Sequence, residues 1–274
     1  MDCIDFDAHF TEYLNNWIEE NRDRFKNTEA MEDEMPAVYY EFLTTPAPWL
    51  DNVKPGEYFD TCMDAQELNE LMNRYIDEKI PVPDPLMERL SVLDDEPMML
   101  KLALDQTARL ESRLNAVHLL REVGSTMPMV DFIRWQVERT EDEDLLEMSL
   151  ECLRGMGEKA VKPAKIAFLA ADVEGKEALL DLLCDYPCDE DVFQFALERF
   201  EHVKEKRALY AGYLAKIGND HALEALFAAA EAEDVDYVDF IEIRSAIERL
   251  GSEAPVRDFA NDPLYKAVQK LQKQ

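Results

Sequence analysis

The side chains best suited to chemistry in this sequence are few and scattered. They are five cysteines (Cys3, Cys62, Cys152, Cys184 and Cys188) and four histidines (His9, His118, His202 and His221). Cys184 and Cys188 could share one face of a helix, but a metal site would need further Cys or His ligands, and Pro187 interrupts the helix between them. We therefore expect buried thiols without a ligand. The sequence has no HExxH pair, GxSxG nucleophile, GxxxxGK[ST] loop or GxGxxG turn, so it predicts no catalytic motif.

Runs of acidic residues offer oxygen ligands for hard cations, but their order does not fit a calcium-binding loop. The runs lie at 94–96, 141–144, 189–191 and 231–239. None has the ligand order and central glycine of an EF-hand. Carboxylates that fall between helices or at their first turns cap free backbone amides. We expect solvated loops and helix caps, compatible with weak, nonspecific binding of divalent cations, and we predict no specific metal site or cofactor.

The net charge excludes some classes of function. The chain of 274 residues has 29 Lys and Arg against 60 Asp and Glu, a formal net charge of −31. Such a chain repels polyanions, which argues against generic nucleic-acid binding. Apolar residues make up 47%, including 13 Phe, 10 Tyr and 3 Trp, which is too many for a disordered acidic segment. We expect a folded protein whose acids lie on the surface.

The expected compartment is the cytoplasm. The first ten residues, MDCIDFDAHF, lack the basic and apolar regions of a signal peptide. No uninterrupted apolar run is longer than that of residues 166–171, which is far too short to span a membrane. An odd number of scattered cysteines is typical of reduced thiols.

Proline and glycine divide the chain near residue 97. The first 97 residues hold eight of the 13 prolines and only one glycine. We predict an acidic N-terminal helical capping region over 1–97 and a repeat region over 98–274. Apolar spacing in the first region predicts helices over 6–17, 65–79 and 86–93. The loop 46–59 presents Trp49 and Phe59 between prolines, either as a contact site or as a cap on the first repeat.

The strongest pattern in the second region is a set of similar helical segments that recur at regular spacing. They align on Gly124, Gly157, Pro187, Gly218 and Gly251, which are 33, 30, 31 and 33 residues apart. Glycine is favoured just after a helix because it adopts a left-handed backbone without strain. The positions four residues earlier are Leu120, Leu153, Leu183, Leu214 and Ile247. The positions eight residues earlier are Ala116, Ser149, Leu179, Tyr210 and Ile243.

A second helix is predicted after each of these segments. The predicted ranges are 128–139, 163–171, 191–200, 222–231 and about 255–274. Three of them begin on or near proline, the preferred first helical residue. Because one helix pair cannot bury its apolar side alone, stacked copies are needed to form a core. The predicted fold class is all-α, a right-handed α-solenoid of about five helical hairpins after an irregular helical N-terminal region.

The repeat segments resemble a known family. RLNAVHLLREVG, RALYAGYLAKIG and IRSAIERLG are similar to the first helix of HEAT-like repeats, especially the phycobilisome-lyase type with its pattern R-x-x-A-x-x-x-L-x-x-x-G. The resemblance covers about residues 100–260. It departs from the pattern at Ser149 and Pro187, and the arginine is clear only at Arg113 and Arg207. The resemblance implies a fold and leaves the function open, since the same stack serves scaffolds, regulators and some enzymes.

Two enzyme classes come with this resemblance. HEAT-like DNA glycosylases would need a basic groove to hold a duplex, and the present chain has the opposite charge. A lyase-like role is compatible with the charge, although nothing in the sequence points to photosynthetic partners.

We expect a noncatalytic scaffold or adaptor that binds a protein or peptide on the concave surface lined by the second helices. The predicted contact residues are Arg134, Trp135, Glu138, Lys165, Phe168, Gln194 and Glu198. Trp135 beside Arg134 fits an interface hot spot, and core packing next to Phe132 is the equal alternative. The acidic surface predicts a basic partner whose association weakens as salt rises. The alternative function is a lyase-like enzyme or small-ligand-binding module with a pocket between the N-terminal region and the first repeats.

Overall fold

The described chain is built from α-helices. A computed structural model describes residues 1–186, 189–260 and 262–271, so Pro187 and Cys188 lie outside the described residues. Within these ranges the only β-type pairing is an isolated bridge between Ala47 and Val53. The predicted all-α class is confirmed. No described helix combines the length and the apolar character that crossing a membrane requires.

In chain order the helices are α1 (Phe6–Asn21), α2 (Thr28–Glu32), α3 (Met35–Thr44), α4 (Ala65–Glu78), α5 (Asp84–Leu93), α6 (Glu96–Leu104), α7 (Leu110–Glu122), α8 (Met129–Glu138), α9 (Glu143–Gly155), α10 (Glu158–Ala170), α11 (Val173–Leu183), α12 (Glu190–His202), α13 (Arg207–Ile217), α14 (Leu223–Glu231), α15 (Tyr237–Arg249) and α16 (Pro263–Leu271). They form two compact units. Unit 1 comprises residues 1–128 and 143–155, and unit 2 comprises residues 129–142 and the described part of 156–274. Residue 97, the predicted boundary, lies in α6 within unit 1.

Aromatic rings organise the beginning of unit 1. α1 begins where the Asp5 carboxylate accepts a hydrogen bond from the Ala8 amide at 2.8 Å, an N-cap. Phe6 is buried, with its ring 5.3 Å from that of Trp49 and 5.8 Å from that of Phe59. Phe59 is also buried, whereas Trp49 is half-buried and stacks on His9 at 3.9 Å. The loop 46–59 therefore packs on α1.

The predicted apolar stripe of α4 is confirmed. Its five members, Leu68, Leu71, Met72, Tyr75 and Ile76, are all buried. Asp64 caps the helix by accepting hydrogen bonds from the backbone amides of Gln66 and Glu67. The Tyr75 hydroxyl accepts a hydrogen bond from the Ile4 amide at 2.9 Å and donates one to the Ile4 carbonyl at 3.0 Å. These two bonds hold the residues before α1 against α4.

The predicted register of the first repeat helices is confirmed residue by residue. The helices α7, α9, α11, α13 and α15 contain the five aligned segments. All ten predicted register residues are buried: Leu120, Leu153, Leu183, Leu214, Ile247, Ala116, Ser149, Leu179, Tyr210 and Ile243. Neighbouring first helices pack together, α7 with α9 in unit 1 and α13 with α15 in unit 2.

Three of the four aligned glycines end these helices with the expected left-handed geometry, whereas Gly157, with φ of 63° and ψ of −141°, is the N-cap of α10. Gly124 and Gly251 have φ of 70° and 84°. In each case the glycine amide donates to the carbonyl three residues back, and the following serine amide donates to the carbonyl five residues back. This pair of bonds is the Schellman motif, which requires a left-handed residue. Gly218, with φ of 75°, closes α13 with a single bond from its amide to the Leu214 carbonyl.

The two arginines of the repeat pattern occupy similar buried positions. Arg113 and Arg207 are among the few buried charged residues in the described chain. The Arg113 Nε donates to the Ala103 carbonyl at 2.9 Å, at the end of α6. Arg207 faces Asp234 at 3.8 Å, just after α14. Each arginine compensates its burial with an acceptor from a neighbouring segment of its own unit.

The second repeat helices agree with the prediction except at two boundaries. α8, α12 and α14 lie where expected. α10 begins at Glu158, so Pro163 lies inside the helix and not at its first residue. The last helix, α16, begins at Pro263, and the residues from 252 to 260 have no helical structure. In that segment the Arg257 guanidinium donates hydrogen bonds to the carbonyls of Ala230 and Ala232 at the end of α14, which holds the segment against that helix end.

Candidate functional site

Two of the predicted contact residues are buried: Phe168 is not exposed as predicted, and Trp135 takes the core position that was its equal alternative. Trp135 has 3% of its surface exposed and Phe168 has 2%. Trp135 packs against Phe132 with ring centroids 4.9 Å apart, which supports the alternative of core packing. The ring of Phe168 lies edge-on to that of Phe195 at 5.4 Å. Both aromatics fill the interior of unit 2 because large apolar surfaces gain most from burial.

The other five predicted residues remain accessible on α8, α10 and α12 of unit 2. Arg134, Glu138, Gln194 and Glu198 are exposed, and Lys165 is half-buried. Arg134 forms an ion pair with Asp131 at 2.6 Å, and Lys165 forms one with Asp189 at 3.3 Å. The Gln194 amide donates to Glu190 at 2.6 Å.

An apolar groove of about 330 Å³ runs between α8 and α10. It is lined by Val130, Ile133, Arg134 and Val137 from α8 and by Pro163, Ile166, Ala167 and Ala170 from α10. Each set has the spacing i, i+3, i+4, i+7, which defines one stripe along a helix. The two stripes are 33 residues apart, the spacing of the first two repeat glycines. The groove is therefore formed by positions of the same spacing on the two helices.

Apolar side chains at the edge of this groove are open to solvent. Val130 is 71% exposed and Ile166 is 64% exposed, and Leu169, one turn beyond Ile166, is 61% exposed. Below them the second helices bury Ile133 and Phe168. Contiguous exposed apolar groups beside a groove are typical of surfaces that bind another protein or a ligand.

Pro163 contributes to the wall of the groove from inside α10. Proline has no amide hydrogen, so α10 lacks the bond that residue 163 would donate to the Lys159 carbonyl. Local departures of helix geometry at an internal proline are expected for this reason. The ring of Pro163 lies opposite the stripe of α8, where it adds apolar surface without a flexible side chain.

An ionic network holds α12 beside α11 and α13. Glu177 of α11 accepts hydrogen bonds from Arg199 Nε and from Lys206 Nζ, both at 2.8 Å. Although burial raises it, the pKa of Glu177 is held below its ordinary value by hydrogen bonds from Lys206, Tyr210 and Arg199. This network fixes the helix that carries Gln194 and Glu198.

The histidines and cysteines do not assemble into a reactive site in the described residues. His118 faces Glu122 at 3.9 Å, and the His202 Nδ1 lies 2.8 Å from the Glu198 carbonyl oxygen. Burial raises the pKa of Cys152 to about 11, which disfavours its thiolate. In the described part of the chain, no group of three or more Cys, His, Asp or Glu residues could hold a metal ion.

The alternative function requires a pocket between the N-terminal region and the first repeats. A wide depression of about 710 Å³ in unit 1 is lined by residues of 63–65 and 93–97, all of which belong to the N-terminal region. Two of its carboxylates cap helices: Asp64 binds amides at the start of α4, and Asp95 accepts from the Met98 amide at 3.1 Å. These acids stabilise the first turns of α4 and α6, as the sequence predicts for acids that precede a helix.

Most of the groove was missed by sequence reasoning. Only Arg134 belongs to both the predicted contact set and the lining of the groove. The available signal was the apolar run 166–171, because six apolar residues in succession cannot all face one side of a helix. Some of them had to lie outside the core. A second signal was the repetition of the apolar stripe 33 residues further along the chain.

Comparison with protein-family models, curated proteins and solved structures finds no match for this chain.

Proposed function

We propose that this protein is a noncatalytic scaffold or adaptor that binds a segment of another protein on the exposed surface of α8, α10 and α12. The observation that carries the proposal is the apolar groove between α8 and α10, with Val130 and Ile166 largely exposed at its edge. Burying one aliphatic side chain of a partner in such a groove contributes roughly 1.5–3 kcal/mol. The charged residues around it would set the orientation and choice of partner.

The fold proposed for this function is a HEAT-like solenoid. The buried register of the first helices and the glycine ends support repeated units. The stripes of α8 and α10 have the same spacing, as expected if equivalent second helices line one binding surface. On this proposal the groove is one step of a longer surface.

The prediction of a basic partner rests on the net charge of −31. Within unit 2, α12 supports it best, because Glu190, Asp191, Glu198 and Glu201 are exposed there. Association with such a partner would be faster at low salt, since screening shortens the reach of these charges.

The proposal can be tested by selecting peptides on the full-length protein. A library of random dodecapeptides displayed on phage is enriched on the immobilised chain, and the selected peptides are synthesised and titrated. We expect peptides with an apolar residue that bind Val130→Glu at least about tenfold more weakly than the parent, because the charge enters the groove edge.

The matched control is Val92→Glu in α5 of unit 1, since Val92 is also a valine that is 71% exposed. The control should leave binding unchanged, and circular dichroism should confirm that both variants are folded. Equal binding to Val130→Glu and the parent would contradict the location of the site. A library that yields no enriched peptide would contradict peptide binding itself.

A further inference from the structure

α10 is positively charged in a chain that is strongly acidic. The helix has Lys159, Lys162 and Lys165 against one acid, Glu158, whereas the whole chain has twice as many acids as bases. Lys159 and Lys162 are exposed, and Lys165 is half-buried. The charge of α10 is thus opposite in sign to that of the whole chain.

The two exposed lysines share a face of α10 with the exposed apolar residues. Lys159, Lys162, Ile166 and Leu169 follow one another at intervals of three and four residues, which places them on one side of a helix. All four are exposed. This face is cationic in the N-terminal half of the helix and apolar in the C-terminal half, where Ile166 joins the groove.

Other cations near the groove already have acidic partners in unit 2. Arg134 is paired with Asp131, and Lys165 is paired with Asp189. Neither Lys159 nor Lys162 has an ion pair with any residue in the part of the chain that the structure describes. Their ammonium groups are available to an incoming anionic group.

We propose that the segment bound in the α8–α10 groove carries carboxylates beside an apolar anchor residue. This inference rests on the proposed function, and it names the chemistry of the partner at this one place. At physiological salt, exposed charges act over about 8 Å, so charges next to the groove outweigh the distant acids once the partner is in contact. Carboxylates would pair with Lys159 and Lys162, and basic residues would be repelled there.

The helix geometry sets the spacing of the partner's charges. Along α10, Lys162 and Lys159 lie about 6 Å and about 10 Å before Ile166, at 1.5 Å per residue. An extended segment advances about 3.3 Å per residue and its alternate side chains share a face, so acids that face α10 beside the anchor would fall two and four residues from it. The predicted pattern is an apolar residue followed by two acids, with one spacer before each acid.

A helix face that combines lysines with apolar residues can also bind an anionic membrane surface. The net charge of the chain disfavours a membrane as the partner. A chain with a net charge of −31 is repelled by a negatively charged bilayer, whereas a short acidic segment meets mainly the local lysines. A peptide segment is therefore the occupant that the charges favour.

The test uses three fluorescein-labelled dodecapeptides of matched length, titrated into the full-length protein by fluorescence anisotropy. The first has leucine as anchor with glutamates two and four residues away, the second has lysines in place of the glutamates, and the third has serine in place of the leucine. We expect the acidic peptide to bind most tightly and the serine peptide to lose at least about tenfold.

Two charge-reversal variants complete the test. Lys159→Glu combined with Lys162→Glu should weaken the acidic peptide by about three- to tenfold at low salt, with a smaller effect as salt rises. The matched control reverses two exposed lysines of α16, Lys266→Glu with Lys270→Glu, and should leave binding unchanged. Both variants change the net charge equally.

Different results would contradict the acidic partner and the proposed function. Tighter binding of the basic peptide, or no effect of the Lys159 and Lys162 reversals, would overturn the acidic partner while Val130→Glu still reports on the groove. If no peptide binds in a Val130-dependent manner, the proposed function fails as well. Sedimentation of the protein with vesicles of anionic lipid, lost in the lysine variant, would replace the peptide by a membrane surface.

Discussion

The beginning of unit 1 and much of unit 2 bury their apolar residues in different ways. At the start of unit 1, Phe6 contacts the rings of Trp49, Tyr58 and Phe59. Much of unit 2 instead repeats one register, in which a leucine or isoleucine is buried four residues before the aligned position. A cluster of aromatic rings depends on contacts between particular residues, whereas a repeated register requires only an apolar residue of suitable size at each position. The two units should therefore respond differently to the loss of an aromatic ring.

The carboxylates of the two units also differ. In unit 1, partial burial, together with repulsion from Asp84 and Glu122, raises the pKa of Glu88 above its ordinary value. In unit 2, hydrogen bonds from basic side chains hold the pKa of Glu177 below its ordinary value against the effect of burial. The negative charge of Glu88 therefore lowers the stability of the fold, whereas the negative charge of Glu177 raises it.

The largest expected effect concerns buried phenylalanines. Phe59 of unit 1 and Phe193 of unit 2 are both buried, and replacing either by alanine should lower the free energy of unfolding by about 3–5 kcal/mol. Replacement by leucine should separate them, because Phe59 also loses ring contacts with Phe6 and Tyr58, worth about 1 kcal/mol. Urea unfolding followed by circular dichroism measures the difference. Equal losses for Phe59→Leu and Phe193→Leu would contradict the contrast between the units.

A smaller effect should follow from neutralising one acid in each unit. Glu177→Gln should lower the free energy of unfolding at pH 7 by about 1–2 kcal/mol, because it removes the charge that Arg199 and Lys206 bind. A carboxylate whose pKa is lowered by folding stabilises the fold at pH values above its unfolded-state pKa. This stabilisation is lost as the pH falls through the folded-state pKa. The penalty should therefore shrink below about pH 4.

Glu88→Gln should act in the opposite direction. Because a raised pKa means that the ionised form is disfavoured in the fold, the variant should gain stability at pH 7, by less than about 0.5 kcal/mol for this exposed residue. The gain should vanish as the pH falls below about 4. Urea unfolding at pH 7 and pH 4 checks both variants, and effects of the same sign at pH 7 would contradict the comparison.

Two glycine variants test the ends of the aligned helices. Gly218→Ala should destabilise the protein by about 1 kcal/mol, because φ at this position is 75°. Gly212→Ala, in the middle of α13 with open space around the added methyl group, should instead stabilise it by about 0.5–1 kcal/mol. Thermal unfolding of both variants checks the signs. A stabilising Gly218→Ala would show that the left-handed end is not required.

The helices and their buried register could be predicted from the sequence, and the groove between α8 and α10 could not. Periodicity identifies which side of a helix is apolar, so Leu120 and Leu214 could be placed in the core. It does not indicate which neighbouring helix covers the residues at the edge of the apolar side. The burial of Trp135 could therefore not be predicted. The groove depends on how far α8 and α10 lie apart. That distance follows from packing between helices, which no local pattern contains.

The double hydrogen bond between Tyr75 and Ile4 has a consequence for the order of folding. It joins residues that are 71 positions apart, so its formation closes a long loop. Loop-closure entropy makes such contacts slow compared with the local contacts that build α4. We expect α4 to form first. The residues before α1 should reach their native position late, when Ile4 forms its hydrogen bonds with the Tyr75 hydroxyl of α4.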